Sequence, residues 1–124
     1  MQQTHTPQEG LILFLGTRDL ERTHRFYTKA LGLSMIIDQG ACRIYQVPGG
    51  GFIGFCAHIV PVYGEKSPIV TIVSPDVDGF FDRLVEWGAK IPHPPQINER
   101  FGIYHFFLDD PNGYTLEIQR FVNP

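Results

Sequence analysis

Residues 106–118 read FFLDDPNGYTLEI and contain a turn between two apolar segments. The turn is DPNG at 110–113, and residues of these types favour tight turns because of their backbone preferences. The flanking segments, 103–108 and 114–121, are rich in aromatic and β-branched residues, which favour strands. The pattern predicts a hairpin in which the side chains of each strand alternate between two faces.

A second hairpin is predicted earlier in the chain. Extended segments at 42–47 and 52–56 flank the turn PGGG at 48–51, and another extended segment covers 34–38. Pro48 and Pro111 stand 63 residues apart (111 − 48). Recurrence at this spacing indicates an internal structural repeat.

A strand and a helix precede the first hairpin. Residues 11–15 predict a buried strand, which Gly16 ends. Asp19 can cap the following helix, because its carboxylate can accept the free amide hydrogens of the first turn. Gly32 is suited to the left-handed conformation that closes a helix.

The second half repeats this order. Residues 69–73 predict a strand, and Ser74 or Asp76 can cap the next helix. That helix carries an apolar stripe and ends at Gly88. Ile91 is predicted as the centre of a short strand before the final hairpin.

The repeat predicts an α+β fold built from two βαβββ modules, at about 10–58 and 67–121. Both belong to one domain over residues 10–124, and residues 1–9 are predicted to be a disordered leader. The modules are expected to form a curled mixed sheet around a cavity, with the helices on the outside.

Composition excludes several functions and sets the expected location. The formal charge is −3 and the chain has no basic run, so nucleic-acid binding is not expected. The apolar run 11–15 is too short to cross a membrane, and the polar start lacks the apolar core of a signal peptide. We therefore expect a cytoplasmic protein. Two cysteines are too few for a disulfide framework.

Two motifs resemble those of one known superfamily. Residues 19–33, DLERTHRFYTKALGL, resemble the opening motif of the vicinal oxygen chelate proteins, the glyoxalase, bleomycin resistance and dioxygenase group. Residues 106–118 resemble the closing hairpin of the same group. The resemblance implies the βαβββ duplication already predicted from the repeat, and it implies a homodimer.

The resemblance also locates the positions at which metal-dependent relatives carry their ligands. These positions fall on Ile12, Ile69 and Glu117, with Gly54 opposite Glu117 in the first half, or Cys56 if the alignment slips by two residues. Isoleucine has no donor atom, and one carboxylate is a poor site for a divalent ion. We therefore expect no metal and no other cofactor, as in the antibiotic-sequestering branch of the superfamily.

Strand alternation assigns the side chains that face the cavity. If Ile12 and Glu117 point inward, so do other residues of the same parity. Arg100, just before the last hairpin, is a further candidate for contact with an anionic ligand group, although a solvated loop is the simpler interpretation. The ligand-binding candidates are Ile12, Phe14, Cys42, Phe52, Cys56, Ile69, Arg100, Phe107 and Gln119.

His105 and Glu117 are the candidate catalytic pair. Pairing around the turn puts Gln119 opposite His105 and Glu117 opposite Phe107, so His105 and Glu117 are diagonal neighbours. Glu117 can then orient the imidazole for proton transfer. Two alternatives have no catalytic role: Glu117 only forms a hydrogen bond with a buried histidine, or both side chains face water.

Three functions remain open from the sequence. The leading one is binding of a small organic molecule in the cavity without metal, with or without lyase-type or isomerase-type chemistry. The second is a metal-dependent lyase or dioxygenase with relocated ligands drawn from Cys56, His58, His105 and Glu117. The third is a structural or regulatory module with a vestigial cavity. No nucleic-acid or membrane partner is expected.

Overall fold

The computed structural model describes residues 7–122. Most of the leader predicted for residues 1–9 lies outside this range. The first module contains β1 (Ile12–Gly16), α1 (Leu20–Arg25), β2 (Ser34–Asp38), β3 (Cys42–Gln46) and β4 (Phe52–Cys56). The second contains β5 (Ile69–Val73), α2 (Val77–Trp87), β6 (Gln96–Asn98), β7 (Ile103–Asp109) and β8 (Thr115–Phe121).

The strands form two four-stranded mixed sheets, in the orders β1-β4-β3-β2 and β5-β8-β7-β6. The first strand of each module runs parallel to the last, and all other neighbours are antiparallel. The two orders are identical once the strands are renumbered within each module. The predicted α+β duplication is therefore confirmed, with two sheets that are curled and not closed.

Both helices begin as the sequence predicts. The carboxylate of Asp19 accepts a 3.0 Å hydrogen bond from the amide of Arg22, and that of Asp76 accepts one of 2.9 Å from Gly79. Helix α1 continues into a π-helical turn over Phe26–Ala30. Within residues 7–122, neither helix is long and apolar enough to cross a membrane.

Glycines close both helices. Gly32 has a φ of 76° and Gly88 a φ of 104°, a left-handed region that disfavours residues with a Cβ. The chain can therefore turn sharply from each helix toward the next strand.

The hydrophobic core lies between the helices and the outer faces of the sheets. Its most buried side chains come from both modules, so the two halves share one packed interior. Residues of the opposite parity form the inner faces of the sheets. The largest fully buried side chains are Tyr27, Tyr45, Phe55, Leu84, Leu116, Ile118 and Tyr114.

One predicted element is misplaced. The short strand expected around Ile91 is instead β6, five residues later, where Gln96 pairs with His105. Pro92, Pro94 and Pro95 lack the amide hydrogen that a ladder needs, so pairing begins only after them. Ile91 is partly buried against the core.

The turn of the last hairpin joins the two modules. The Asn112 side chain accepts a 2.7 Å hydrogen bond from Thr17 Oγ1 and donates one of 3.1 Å to Thr23 Oγ1. Tyr27 donates a 2.7 Å hydrogen bond to the buried Asp110. Residues of the two sequence motifs therefore contact each other directly, although more than 80 positions separate them.

Candidate functional site

A hollow of about 470 Å³ lies on the inner face of the second sheet. Strands β5, β7 and β8 form its floor, and the turn between β6 and β7 contributes to its rim. Apolar side chains supply most of the lining, and most of the polar groups lie where β7 and β8 pair. We call this the second-sheet hollow; its lining is Ile69, Asn98, Phe101, Ile103, His105, Phe107, Glu117, Gln119 and Phe121.

His105 and Glu117 form a hydrogen-bonded pair in this hollow. The sheet register places His105 opposite Gln119 and Phe107 opposite Glu117, as predicted from the hairpin. The diagonal neighbours His105 and Glu117 meet with 2.6 Å between Nδ1 and Oε2. Their side chains are 11% and 10% exposed, so the pair is largely shielded from water.

Thr71 holds the other oxygen of the same carboxylate. Its hydroxyl donates a 2.7 Å hydrogen bond to Glu117 Oε1, because β5 pairs with β8 so that Thr71 lies opposite Glu117. Alternation in the sequence predicts that Thr71 faces inward. It does not reveal the hydrogen bond, because the parallel pairing that creates it joins residues 46 positions apart.

These contacts fix the chemistry that the histidine can perform. A carboxylate only accepts hydrogen bonds, so Nδ1 of His105 carries the hydrogen. In the neutral ring, Nε2 is then an acceptor, and it has no hydrogen-bond partner among residues 7–122. His105 can therefore accept a proton or a hydrogen bond at Nε2 while Glu117 stabilises the resulting cation.

The remaining predicted site residues divide between different surfaces. Ile69, Phe107 and Gln119 line the second-sheet hollow with the His105–Glu117 pair. Phe52 lines a different cleft, of about 400 Å³, at the junction of the modules. That cleft also includes Ile69 at its margin.

Four more predicted residues lie on the inner face of the first sheet, where Phe52 pairs with Ile12. They are Ile12, Phe14, Cys42 and Cys56, and none of them lines the second-sheet hollow. The two inner faces belong to separate four-stranded sheets.

Arg100 also lies outside the second-sheet hollow. It is exposed in the turn between β6 and β7, and its guanidinium carbon lies 5.1 Å from the centre of the Phe101 ring. Phe101 itself lines the hollow, although sequence alternation gave no reason to select a turn residue. Arg100 thus contacts a wall residue rather than the hollow.

A comparison with protein families agrees with this architecture. Residues 11–118 match the model of the Glyoxalase/Bleomycin resistance protein/Dioxygenase superfamily, which covers both modules. The chain belongs to this superfamily. No curated protein sequence matches the chain significantly.

Solved structures of the superfamily share the fold at low sequence identity. A glyoxalase/bleomycin resistance protein/dioxygenase from Nocardioides is 19% identical with a TM-score of 0.75, over 97% of this chain and 87% of that chain. A lactoylglutathione lyase from Agrobacterium tumefaciens is 15% identical with a TM-score of 0.73, over 94% and 96%. The fosfomycin resistance protein FosX from Listeria monocytogenes is 14% identical with a TM-score of 0.71, over 94% of each chain.

The superfamily's usual metal position has an unsuitable set of donors in this chain. Phe14 pairs with Gly54 in the first sheet, and Thr71 pairs with Glu117 at the equivalent place in the second. Gly54 is therefore the counterpart of Glu117, and the alternative alignment, which shifts the position by two residues to Cys56, is not needed. Ile12, Ile69 and Gly54 offer no side-chain donor, and both oxygens of Glu117 already accept hydrogen bonds. These residues do not fit a divalent metal ion.

The relocated metal site considered from the sequence is not assembled either. Of its four candidate ligands, His105 and Glu117 lie in the second-sheet hollow, whereas Cys56 and His58 group with Cys42. Within residues 7–122, the three-residue group Cys42–Cys56–His58 is the only cluster of at least three such ligand atoms.

The structure joins Cys42 and Cys56 in a disulfide between β3 and β4. The two residues are directly opposite in the sheet, with 4.1 Å between their Cα atoms. The sequence places them near each other but, with a cytoplasmic location, favours reduced thiols. Both cysteines are buried, whereas His58 is exposed.

Proposed function

We propose that this chain binds a small organic molecule with an apolar or aromatic body and one polar end in the second-sheet hollow, without a metal at the superfamily position. The observation that carries the proposal is the shielded His105–Glu117 hydrogen bond of 2.6 Å in a mostly apolar hollow. A cytoplasmic location is retained as part of the proposal.

The apolar walls support the choice of an aromatic body. Phe101, Phe107 and Phe121 remain exposed around the hollow, as does Ile69. Covering apolar surface contributes about 25 cal/mol per Å², and flat rings bury a large area in such a hollow. A ligand with an aromatic or extended apolar body therefore gains most from this surface.

The floor supports the choice of a polar end. His105 Nε2 can accept or donate a hydrogen bond according to its protonation, and the Gln119 amide can do both. A ligand that covered these groups without pairing them would lose roughly 1–3 kcal/mol for each group left unsatisfied. Binding therefore selects molecules whose polar group reaches His105 and Gln119.

A proton-transfer reaction of lyase or isomerase type is the second candidate function. It is favoured by the orientation of His105, whose Nδ1 is held by Glu117 while Nε2 lacks a protein partner within residues 7–122. Structural neighbours include both a fosfomycin resistance protein and a lactoylglutathione lyase. Binding and turnover are therefore tested separately.

We propose that the functional unit is a homodimer. Ile12 and Phe14 leave an apolar strip on the inner face of the first sheet, 40% and 44% exposed. Nothing within residues 7–122 covers these side chains fully, and apolar patches of this kind commonly form protein interfaces. A second copy of the chain can cover this strip.

The binding proposal is tested with a panel of monoaromatic compounds that carry a carboxylate, a phenol or an amide. Binding is followed by thermal shift and isothermal titration, because a ligand of the folded state raises apparent stability. We expect His105→Gln and Phe107→Ala each to weaken binding about tenfold, which corresponds to about 1.4 kcal/mol. His24→Gln, on helix α1, is the matched control and should bind normally.

The same panel separates binding from turnover. If His105 performs chemistry, His105→Gln abolishes product formation from a compound that the variant still binds. If the chain only binds, no compound of the panel is converted by either protein. Unchanged affinity in both His105→Gln and Phe107→Ala would show that the hollow is not the binding site.

A further inference from the structure

A second cluster of reactive side chains lies on the first sheet, away from the second-sheet hollow. The sulfur atoms of Cys42 and Cys56 and one imidazole nitrogen of His58 all lie within 4.8 Å of one another. The cysteines face each other from β3 and β4, and His58 follows the end of β4 by two residues. None of these groups takes part in the proposed ligand site.

Backbone hydrogen bonds hold His58 beside the two cysteines. The amide of Ala57 donates to the carbonyl of Ala41 at 2.8 Å, and the amide of Ile59 donates to that of Cys56 at 3.3 Å. The residues on both sides of His58 are therefore tied to the strand ends that carry the cysteines. These hydrogen bonds involve only backbone atoms, so the disulfide is not one of the contacts that form them.

We propose that Cys42, Cys56 and His58 form a redox-gated site for a soft divalent cation of the zinc type. In the oxidised chain the disulfide occupies both sulfurs and no cation binds. In the reduced chain two thiolates and one imidazole bind it. The site is separate from the superfamily's metal position, whose residues lack donors.

The donor set and its spacing suit zinc. Zinc accepts thiolate and imidazole ligands at about 2.3 Å and 2.0–2.1 Å, which places tetrahedral ligand atoms about 3.8 Å or less from each other. The donors of the cluster need to move by only about an ångström or two from the observed arrangement. Three protein donors leave a fourth position for water or another small ligand.

Burial and exposure also suit a site that exchanges its cation. Cys42 and Cys56 are buried, which shields thiolate–metal bonds from water and competing ligands. His58 is exposed and forms the entrance. A cation can therefore reach the sulfurs from the side of the turn that follows β4.

The chemical steps balance with ordinary thiol reductants and oxidants. A dithiol reductant supplies two electrons and two protons, converts the disulfide to two thiols, and is itself oxidised to a disulfide. Binding of M²⁺ then displaces the two thiol protons. Hydrogen peroxide reverses the process: the two thiolates lose two electrons and form the disulfide, peroxide takes up two protons and becomes two waters, and M²⁺ is released.

The test compares the oxidised and reduced states of the unmodified protein. The chain is reduced with a dithiol, freed of reductant without air, and titrated with Zn²⁺ against a coloured chelator. We expect one Zn²⁺ per reduced chain and none per oxidised chain. Co²⁺ in place of Zn²⁺ should give thiolate charge-transfer absorption, and hydrogen peroxide should release the bound Zn²⁺ while that absorption disappears.

Substitutions then assign the ligands. Cys56→Ser should weaken Zn²⁺ binding at least about 100-fold, and His58→Ala about tenfold or more. His93→Ala, in the proline-rich loop, is the matched control and should bind as the unmodified chain does. Circular dichroism checks that each variant is folded, and the comparison of redox states needs no substitution at all.

Three results would contradict the proposal. One is equal Zn²⁺ binding by the oxidised and reduced chains, which would place the cation elsewhere. Another is reduced protein that binds no Zn²⁺ under these conditions, which would leave the cysteines as a structural disulfide. Unchanged Zn²⁺ affinity in His58→Ala would show that the histidine is not a ligand, which contradicts the three-donor site.

Discussion

The ring of Phe14 lies against Gly54 on the inner face of the first sheet. A Cβ added at Gly54 would come within 2.6 Å of two carbons of this ring. At the equivalent place in the second sheet, Thr71 hydrogen-bonds to Glu117. The two modules thus share a backbone plan, but one inner face is filled by an aromatic ring and the other carries a carboxylate.

Gly54→Ala should destabilise the protein by about 1 kcal/mol, because the new methyl group meets the Phe14 ring. This value is at the low end of the cost of overpacking, since the exposed ring can turn aside. Urea unfolding measures the change. In the Phe14→Ala background the same substitution should cost less, which a double-mutant cycle detects. Gly49→Ala is the control, because a Cβ there meets no atom within 4 Å; equal costs in both backgrounds would contradict the contact.

Metal bound by purified protein should not depend on Glu117. The superfamily position lacks donors at Ile12 and Ile69, so Glu117→Ala should leave the metal content of the reduced protein unchanged. Elemental analysis of protein prepared without chelators measures this, with Cys56→Ser as the comparison that removes the other site. A stoichiometric metal lost only in Glu117→Ala would refute the assignment.

The protein should be a homodimer in solution. Light scattering at micromolar concentration is expected to give twice the chain mass of 14.1 kDa. Phe14→Glu should shift the mass toward the monomer, because it places a charge in the apolar strip that we assign to the interface. Trp87→Glu, at an exposed position of helix α2, is the matched control and should remain dimeric. A monomeric mass for the unmodified chain would contradict the proposal.

Asp110 should make the stability of the protein fall as the pH rises above the ordinary range of a carboxyl group. Burial raises the pKa of Asp110, although hydrogen bonds from Tyr27 and from the amides of Tyr114 and Asn112 lower it. A carboxyl whose pKa is raised on folding contributes stability that is fully present below its unfolded pKa, about 3.9, and is lost as the pH rises through the folded pKa.

Asp110→Asn removes this titration while keeping a side chain of the same shape. The unmodified chain should therefore lose stability relative to the variant as the pH rises from about 4 toward neutrality. The free energy of unfolding of the unmodified chain minus that of the variant becomes smaller over this range. Urea unfolding at several pH values measures it. Asp109→Asn is the comparison variant, because it changes an exposed neighbouring carboxyl outside the core. A difference that widens with pH would reverse the assigned sign.

The sequence by itself determined the elements and their order. Caps at Asp19 and Asp76, left-handed glycines at 32 and 88, and the turn at 110–113 act over a few residues, so they are readable without a structure. The hairpin register follows from its turn and places His105 diagonally opposite Glu117. The short strand shows where local patterns fail as predictors. Ile91 is apolar, but the prolines that follow it lack the amide hydrogens that strand pairing needs, so the strand forms after them.

Only the tertiary structure decided which inward-facing residues meet. Alternation assigns a face to each residue, but it does not say that the two inner faces belong to separate sheets. The bond from Thr71 to Glu117 depends on parallel pairing across 46 positions, and the grouping of His58 with both cysteines depends on how the chain leaves β4. Such contacts are non-local, so their partners are fixed by the packing of whole sheets rather than by any local pattern of residues.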